Sequence, residues 1–376
     1  MIGPSIASMD RRSPWAAIRP YVMVFDGPLT IALALIVGIS VATMYSAAFD
    51  FPGRFTGHMR NLGFAFVVAW IAALVPPAVL MRAAVPLYAL GIALLVAVDL
   101  FGIINKGAQR WLDIGVTRIQ PSEMLKIATP LMLAWFFNQR DGRLRWTDFA
   151  VATVILAVPV LLIAKQPDLG TSILVLAAGA YIIFFAGLSW RVIAGLVVAG
   201  VAAMPLLWMV LHDYQRQRVM TLIDPTSDPL GKGFHIIQST IAVGSGGVFG
   251  KGWMQGTQTH LEFIPERTTD FILAVFAEEF GLLGVGVLLL LYLAVISRGL
   301  VISGSGGTTF GRLMAGSLTM SFFTYCFVNM GMVIGILPVV GVPLPWMSYG
   351  GTAMVTLGLG TGILMSIRRH RTLVQT

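Results

Sequence analysis

The chain has 376 residues, of which 57% are hydrophobic and only 11% charged, whereas an ordinary soluble domain carries roughly 25% charged residues. With a mean hydropathy of +0.83, that composition excludes a soluble globular protein. The formal charge of +8, from 25 basic and 17 acidic residues, would suggest nucleic acid on a soluble chain; here the basic loops of a membrane protein account for it, and no nucleic-acid partner is expected.

A membrane span takes about 20 predominantly apolar residues at ~1.5 Å each. In chain order such runs occupy 29–47, 61–81, 83–101, 122–138, 148–164, 168–187, 190–211, 270–297, 310–337 and 349–367. They predict an all-α, polytopic integral membrane protein with about ten transmembrane helices. The membrane domain covers 29–367, between an N-terminal segment 1–28 and a tail 368–376. The first apolar run starts after 28 residues and many more follow, so it reads as a span and not as a cleaved signal peptide. Basic residues in short loops set orientation. Arg11, Arg12 and Arg19 lie at one terminus, Arg140, Arg143 and Arg145 in one connection, and Arg368, Arg369 and Arg371 at the other terminus. Both ends are therefore expected in the cytoplasm.

That orientation makes 212–269, between the seventh and eighth spans, one large extracytoplasmic loop. It also places all five lysines, Lys106, Lys126, Lys165, Lys232 and Lys251, in the outer half. Topology does not explain outward-facing lysines, so they invite an anionic ligand. The loop is rich in glycine, at 244, 246, 247, 250, 252 and 256. A phosphate loop fails on spacing: Ser245 stands where the first glycine belongs, and Gly252 follows Lys251 in place of Ser or Thr. Cys326, the single cysteine, lies in an apolar run and reads as a small buried residue. No histidines stand at metal-ligand spacing.

Ionisable groups in or beside spans are costly and point to function. In Gln120-Pro-Ser-Glu123-Met-Leu-Lys126, the proline and acid read as a helix start. Glu123 and Lys126 share a helical face, either as a structural pair or as the floor of an outward cavity in which Lys126 meets a phosphate. Lys165-Gln-Pro-Asp168 is a polar hairpin or part of the same cavity. Asp270, after Glu266-Arg-Thr-Thr, stands at the mouth of a span. It is an N-cap or a carboxylate placed to take a proton from a sugar hydroxyl. Glu278 and Glu279 follow two turns further in; hydrogen bonding within the fold and catalysis both remain open for them.

These stretches resemble the SEDS family (shape, elongation, division and sporulation) over nearly the whole membrane domain. The resemblance rests on Lys106-Gly-Ala-Gln-Arg110-Trp-Leu, Gln120 to Lys126, Gln166-Pro-Asp-Leu-Gly-Thr171, Leu261 to Arg267, Asp270-Phe-Ile and Glu278-Glu-Phe-Gly281. It continues with Asn329, Gly335, Leu337-Pro-Val-Val-Gly341 and the closing Ser348-Tyr-Gly-Gly-Thr-Ala353. Pro265-Glu266-Arg267 favours the elongation branch over the division branch. One departure is Thr268, where the family commonly has histidine.

The resemblance implies ten spans and a peptidoglycan glycosyltransferase. Its substrates are lipid II, a disaccharide-peptide on undecaprenyl pyrophosphate, and the growing glycan strand on the same carrier. The reaction runs at the periplasmic face of the bacterial cytoplasmic (inner) membrane, in contact with membrane lipid. It further implies a class B penicillin-binding protein (a transpeptidase) as partner and stimulation by a divalent cation, Mg²⁺ or Mn²⁺, with no organic cofactor. On that reading Asp270 is the general base. Lys126 and Arg110 meet the leaving pyrophosphate, Glu123 and Asp270 are the candidate metal ligands, and Lys165, Asp168, Glu266 and Ser348 complete the substrate site. A flippase for lipid-linked precursors would instead need charges along a path through the midplane. A non-catalytic scaffold of the elongation machinery would tolerate loss of Asp270.

Overall fold

The computed structural model describes residues 24–105, 108–113, 115, 118–140, 142, 144–210, 213–227, 231–261, 263–264 and 266–371. The expected N-terminal segment up to residue 23, Lys106, Glu262 and the tail beyond residue 371 lie outside them. Each of the ten apolar runs coincides with one long helix. These are α1 (Gly27–Ala47), α2 (Arg54–Leu74), α3 (Pro77–Phe101), α4 (Pro121–Asn138), α5 (Trp146–Lys165), α6 (Leu169–Phe185), α7 (Trp190–Val210), α11 (Ile272–Gly304), α12 (Thr309–Val333) and α13 (Gly351–Arg369). Three shorter helices, α8 (Asp213–Ile223), α9 (Lys232–Ser245) and α10 (Thr257–His260), build the long loop. Among the described residues the strands form one small antiparallel sheet between α3 and α4, with β1 (Ile103–Asn105), β2 (Ala108–Asp113) and β3 (Arg118–Ile119) in sequential order.

Prolines set several boundaries. α2 covers 54–74 where hydropathy alone gives 61–81, because Pro76 and Pro77 end one helix and start the next with Pro77 at a first-turn position. The run at 270–297 is corrected in kind. Gly281 has φ 62° and ψ −165°, which breaks α11 into a short buried piece over 272–280 and a longer one over 282–304. Only the second is long enough to cross the hydrocarbon core; the first is buried from Ile272 to Glu279.

α4 is the central helix. It packs against α3, α5, α6, α12 and α13, and most of its side chains are buried, so it can carry charged residues that a lipid-facing helix could not. α13 lies along α2 through small residues. A Cβ on Gly358 or Gly362 would stand 2.4 or 2.3 Å from the carbonyls of Ala65 and Ala69, the close backbone approach typical of membrane helix pairs.

The bundle has two polar ends. The site end gathers the sheet, the 166–168 turn, the long loop and 334–350, while the opposite end is tied by Asp26. Asp26 caps α1 through Leu29 N–H and accepts from Arg298 Nε and Nη2 at 2.8 and 2.6 Å, with Arg368 at 3.5 Å. The Arg298 hydrogen bonds, and then its charge and that of Arg368, hold the Asp26 carboxyl below the ordinary aspartate range. A depressed folded-state value contributes stability above the unfolded value of about 3.9 and loses it as pH falls through the folded one. Asp26→Asn is therefore expected to melt lower than wild type at pH 7 and to show a flatter loss of melting temperature below about pH 4. Parallel acid limbs for the two proteins would refute this.

Between α12 and α13 the chain dips back into the bundle without helical structure. Trp346 reaches the level of Leu62, Phe66 and Ala69 on α2. Backbone carbonyls at such depth need partners inside the protein. Side chains supply them: Asn329 Nδ2 donates to Val342 O at 2.8 Å, Tyr292 Oη to Pro345 O at 2.8 Å and Ser40 Oγ to Met347 O at 3.2 Å.

Candidate functional site

The long loop is pinned to the broken helix by backbone contact. Lys251 and Gly252 N–H donate to the carbonyls of Glu278 and Glu279, both at 3.0 Å, while Leu282 and Leu283 N–H donate to those of Gly247 and Val248. The glycine-rich stretch exists for this approach and not for a phosphate: Gly250, at φ +80°, would place a Cβ 2.1 Å from Glu279 O. A left-handed alanine alone costs about 1–2 kcal/mol, and the clash adds to it. Gly250→Ala is expected to lower the melting temperature in detergent. Gly244→Ala, in open space on α9, should leave it unchanged or raise it slightly. Equal melting of the two variants would contradict the account.

Glu278 resolves as a structural hub. It is fully buried; Oε1 accepts from Lys251 Nζ at 2.7 Å and Gln258 N at 2.9 Å, and Oε2 from Thr259 N and Oγ1 at 3.3 and 3.2 Å. Glu279 accepts from Ser46 Oγ on α1. Neither faces the site; both fasten the loop. Arg267, part of the resemblance motif but given no role in the site, does the same. It is buried, pairs with Asp50, donates to Ala47 O at 2.9 Å and stacks over Phe49 and Phe51.

This scaffold presents Asp270. The residue is partly exposed and precedes the helix, whose N-cap is Phe271, so Asp270 is not itself the N-cap. Its backbone carbonyl accepts from Asn329 Nδ2 at 2.9 Å. The same amide group holds Val342, and a Cβ on Gly341 would lie 3.5 Å from Asp270 Oδ2. The carboxylate thus lies over the 340–342 backbone, with Asn329 fixing both. Tyr349 N–H donates to Thr268 O at 2.8 Å and closes the arrangement.

Glu123 and Lys126 pair as their spacing predicts, Nζ to Oε1 at 2.6 Å. Thr356 Oγ1 on α13 donates to Glu123 Oε2 at 3.1 Å, and Nζ stands 5.5 Å from the Tyr325 ring centroid. Lys126 turns inward and Glu123 toward the surface. Asp168 caps α6 through Thr171 N–H and accepts from Gln120 Nε2 at 3.0 Å. Two residues on, Gly170 packs against Val340 O. The Glu123 and Asp270 regions are therefore joined through Gln120, Asp168 and the 340–342 segment.

The other expected substrate residues are placed differently. Arg110 donates from Nε to Gln166 O at 3.3 Å and from Nη2 to Pro167 O, clamping the sheet to the α5–α6 turn. Lys165 pairs with Asp99 at 3.0 Å. Glu266 accepts from Thr269 Oγ1 at 2.9 Å on the exposed face of the loop. Ser348 is buried, and its Oγ accepts from Leu344 N–H at 2.8 Å. It closes the re-entrant turn, its backbone N–H donating in return to Leu344 O at 3.0 Å.

Beside Glu123 opens a groove of about 740 Å³. α2 packs on α13 and α3 on α4, which leaves a cleft between the two pairs. Phe64, Leu87, Leu94, Leu131 and Leu359 make it apolar, and Arg60, Asn61, Gln120 and Glu123 stand among its polar lining. Among the described residues no group of three or more His, Cys, Asp or Glu is placed to hold a metal ion, and the ammonium of Lys126 takes the cation position beside Glu123. The described residues therefore form no three-ligand site for a resident metal ion.

Residues 21–373 match the cell cycle protein family that groups FtsW, RodA and SpoVE. The chain is 54% identical over 344 residues to the peptidoglycan glycosyltransferase MrdB of Escherichia coli strain K12, covering 91% of this chain and 93% of that one. It is 36% identical over 312 residues to MrdB of Helicobacter pylori strain J99, covering 81% of each. Among solved structures, a chain of a peptidoglycan synthase complex that coordinates polymerization and crosslinking superposes with a TM-score of 0.81 at 32% identity, over 93% of this chain and 99% of that one. The rod shape determining protein RodA of Thermus thermophilus superposes at 0.71 and 28% identity, over 93% and 98%.

Proposed function

The chain belongs to the cell cycle protein family of FtsW, RodA and SpoVE, and we propose that it is a peptidoglycan glycosyltransferase that polymerises lipid II during cell elongation. One observation carries the reading. An apolar groove suited to a polyprenyl chain ends in a polar mouth that is joined, through Gln120, Asp168 and the 340–342 backbone, to a carboxylate held in place by a buried amide. A lipid-carried sugar needs both a hydrocarbon slot and a base at the interface.

In the reaction a sugar 4-hydroxyl attacks C1 of the sugar that ends the growing strand, with inversion and loss of lipid diphosphate. Asp270 accepts the hydroxyl proton as the new glycosidic bond forms. The scissile C1–O bond breaks toward the diphosphate, and the polyprenyl chain stays in the groove. Positive charge aimed at the leaving group is worth more in such a water-poor site than in bulk water. A divalent cation, Mg²⁺ or Mn²⁺, belongs with the substrate's diphosphate, since hard cations often bind one or two carboxylates plus phosphate. With the site end facing the periplasm and both termini in the cytoplasm, the crosslinking partner is a class B penicillin-binding protein.

Charged residues within the described long helices lie within about two turns of a helix end, which disfavours a flippase path through the midplane. The test is polymerisation in detergent micelles with lipid II, Mn²⁺ and the cognate transpeptidase, with strand length read on a gel. Micelles have no two compartments, so transport alone yields no product. Long strands support the polymerase; a folded, partner-bound protein that makes none removes it.

A further inference from the structure

The pyrophosphate-binding role expected of Lys126 and Arg110 is left vacant by their geometry. Lys126 is closed onto Glu123 at 2.6 Å, and Arg110 onto two backbone carbonyls. The neighbouring cations are committed too: Lys165 to Asp99, Lys251 to Glu278, Arg267 to Asp50, with Arg54 stacked 4.7 Å from the Tyr349 ring centroid. Among the described side chains at this end, Arg60 alone among the arginines and lysines has no carboxylate, carbonyl or aromatic-ring partner. It stands about two turns into α2, is exposed, and lines the apolar groove with Asn61 beside it. An unpaired guanidinium at that depth in a membrane helix is costly without an anion. The carboxylate of Glu123 does not oppose an anion there, because Lys126 and Thr356 already neutralise and bond it.

We propose that Arg60, assisted by Asn61, binds the diphosphate of the polyprenyl carrier at the mouth of the α2–α3–α4–α13 groove. The inference rests on the polymerase reading for the identity of the carrier. Guanidinium suits the task, since its planar fork matches two phosphate oxygens and it stays ionised in apolar surroundings. The ligand chemistry is a phosphate group on a lipid, and an ordinary phospholipid headgroup is the competing source.

The test compares wild type, Arg60→Gln and Arg60→Lys in detergent, measuring affinity for undecaprenyl diphosphate, undecaprenol and phosphatidylglycerol. Wild type is expected to favour undecaprenyl diphosphate over the other two. Arg60→Gln should lose about tenfold in affinity for it, down to the undecaprenol level, and Arg60→Lys should recover part of the loss. With lipid II, Arg60→Gln should raise KM by about tenfold with kcat nearly unchanged, the mark of lost uniform binding. Unchanged affinity of Arg60→Gln would overturn the proposal, as would displacement of undecaprenyl diphosphate by an equal concentration of phosphatidylglycerol. The binding comparison needs no turnover, so absence of polymer from wild type would remove the polymerase reading alone. Arg60 is exposed, and equal melting of the three proteins checks that the fold is kept.

Discussion

Asp270→Asn is expected to lower glycan polymerisation by about 10²–10⁴-fold, the usual contribution of a general base, while leaving the protein folded and bound to its transpeptidase. The separation of the two effects follows from how the residue is held. The backbone carbonyl of this position accepts from Asn329 at 2.9 Å, and an asparagine keeps that bond. The N-cap of the helix that follows is Phe271, so the substitution does not fall on the cap residue. The space over Gly341 accepts an amide as readily as a carboxylate, since even an added Cβ there would stand at ordinary contact distance, 3.5 Å from Oδ2. The measurement pairs strand length on a gel with melting temperature and partner co-purification. Polymer at the wild-type rate from a folded variant would remove Asp270 from the base role and leave the enzyme without one. Loss of activity together with loss of partner binding would turn the residue into a docking element instead.

Much of this molecule is legible in its sequence because lipid imposes a simple code. Each of the ten apolar runs has its helix, and Glu123 with Lys126 pair as two residues three apart on one helix face should. The reading failed where the partner lies far along the chain. Nothing near Glu278 in sequence signals Lys251, 27 positions away, and nothing near Arg267 signals Asp50, 217 positions away. Both contacts decide that conspicuous charged residues hold the loop and not the substrate. The glycine cluster at 244–256 failed in a similar way: its purpose is close approach to the backbone of a helix that breaks at Gly281, and neither the break nor the approach has a local signature. Arg110 and Ser348 belong to motifs that pointed to the substrate site, yet the hydrogen bonds they make run to carbonyls and an amide of neighbouring turns. Arg60 carried no motif at all; it stands out only once every neighbouring cation is seen to be engaged.

The second large effect is expected at the buried pair. Lys126→Met leaves Glu123 with Thr356 as its remaining side-chain partner, in a site where its side chain is 13% exposed. Removing one member of a buried ion pair costs about 3–5 kcal/mol, because the other charge is left uncompensated, so the single variant should melt much lower and polymerise little. That result alone would not separate a structural pair from a functional one. Adding Glu123→Gln does, because replacing both charges with neutral side chains of similar volume is often close to neutral for stability. The double variant should therefore regain the wild-type melting temperature. Its activity should nevertheless stay at least about tenfold down. Glu123 is the acidic group on the groove wall, whereas Lys126 points inward toward Tyr325 and away from that groove, so what Lys126 supplies is a charged, correctly held Glu123. A double variant that both folds and polymerises like wild type would reduce the pair to a structural device and leave Arg60 and Asp270 as the charged groups that touch substrate.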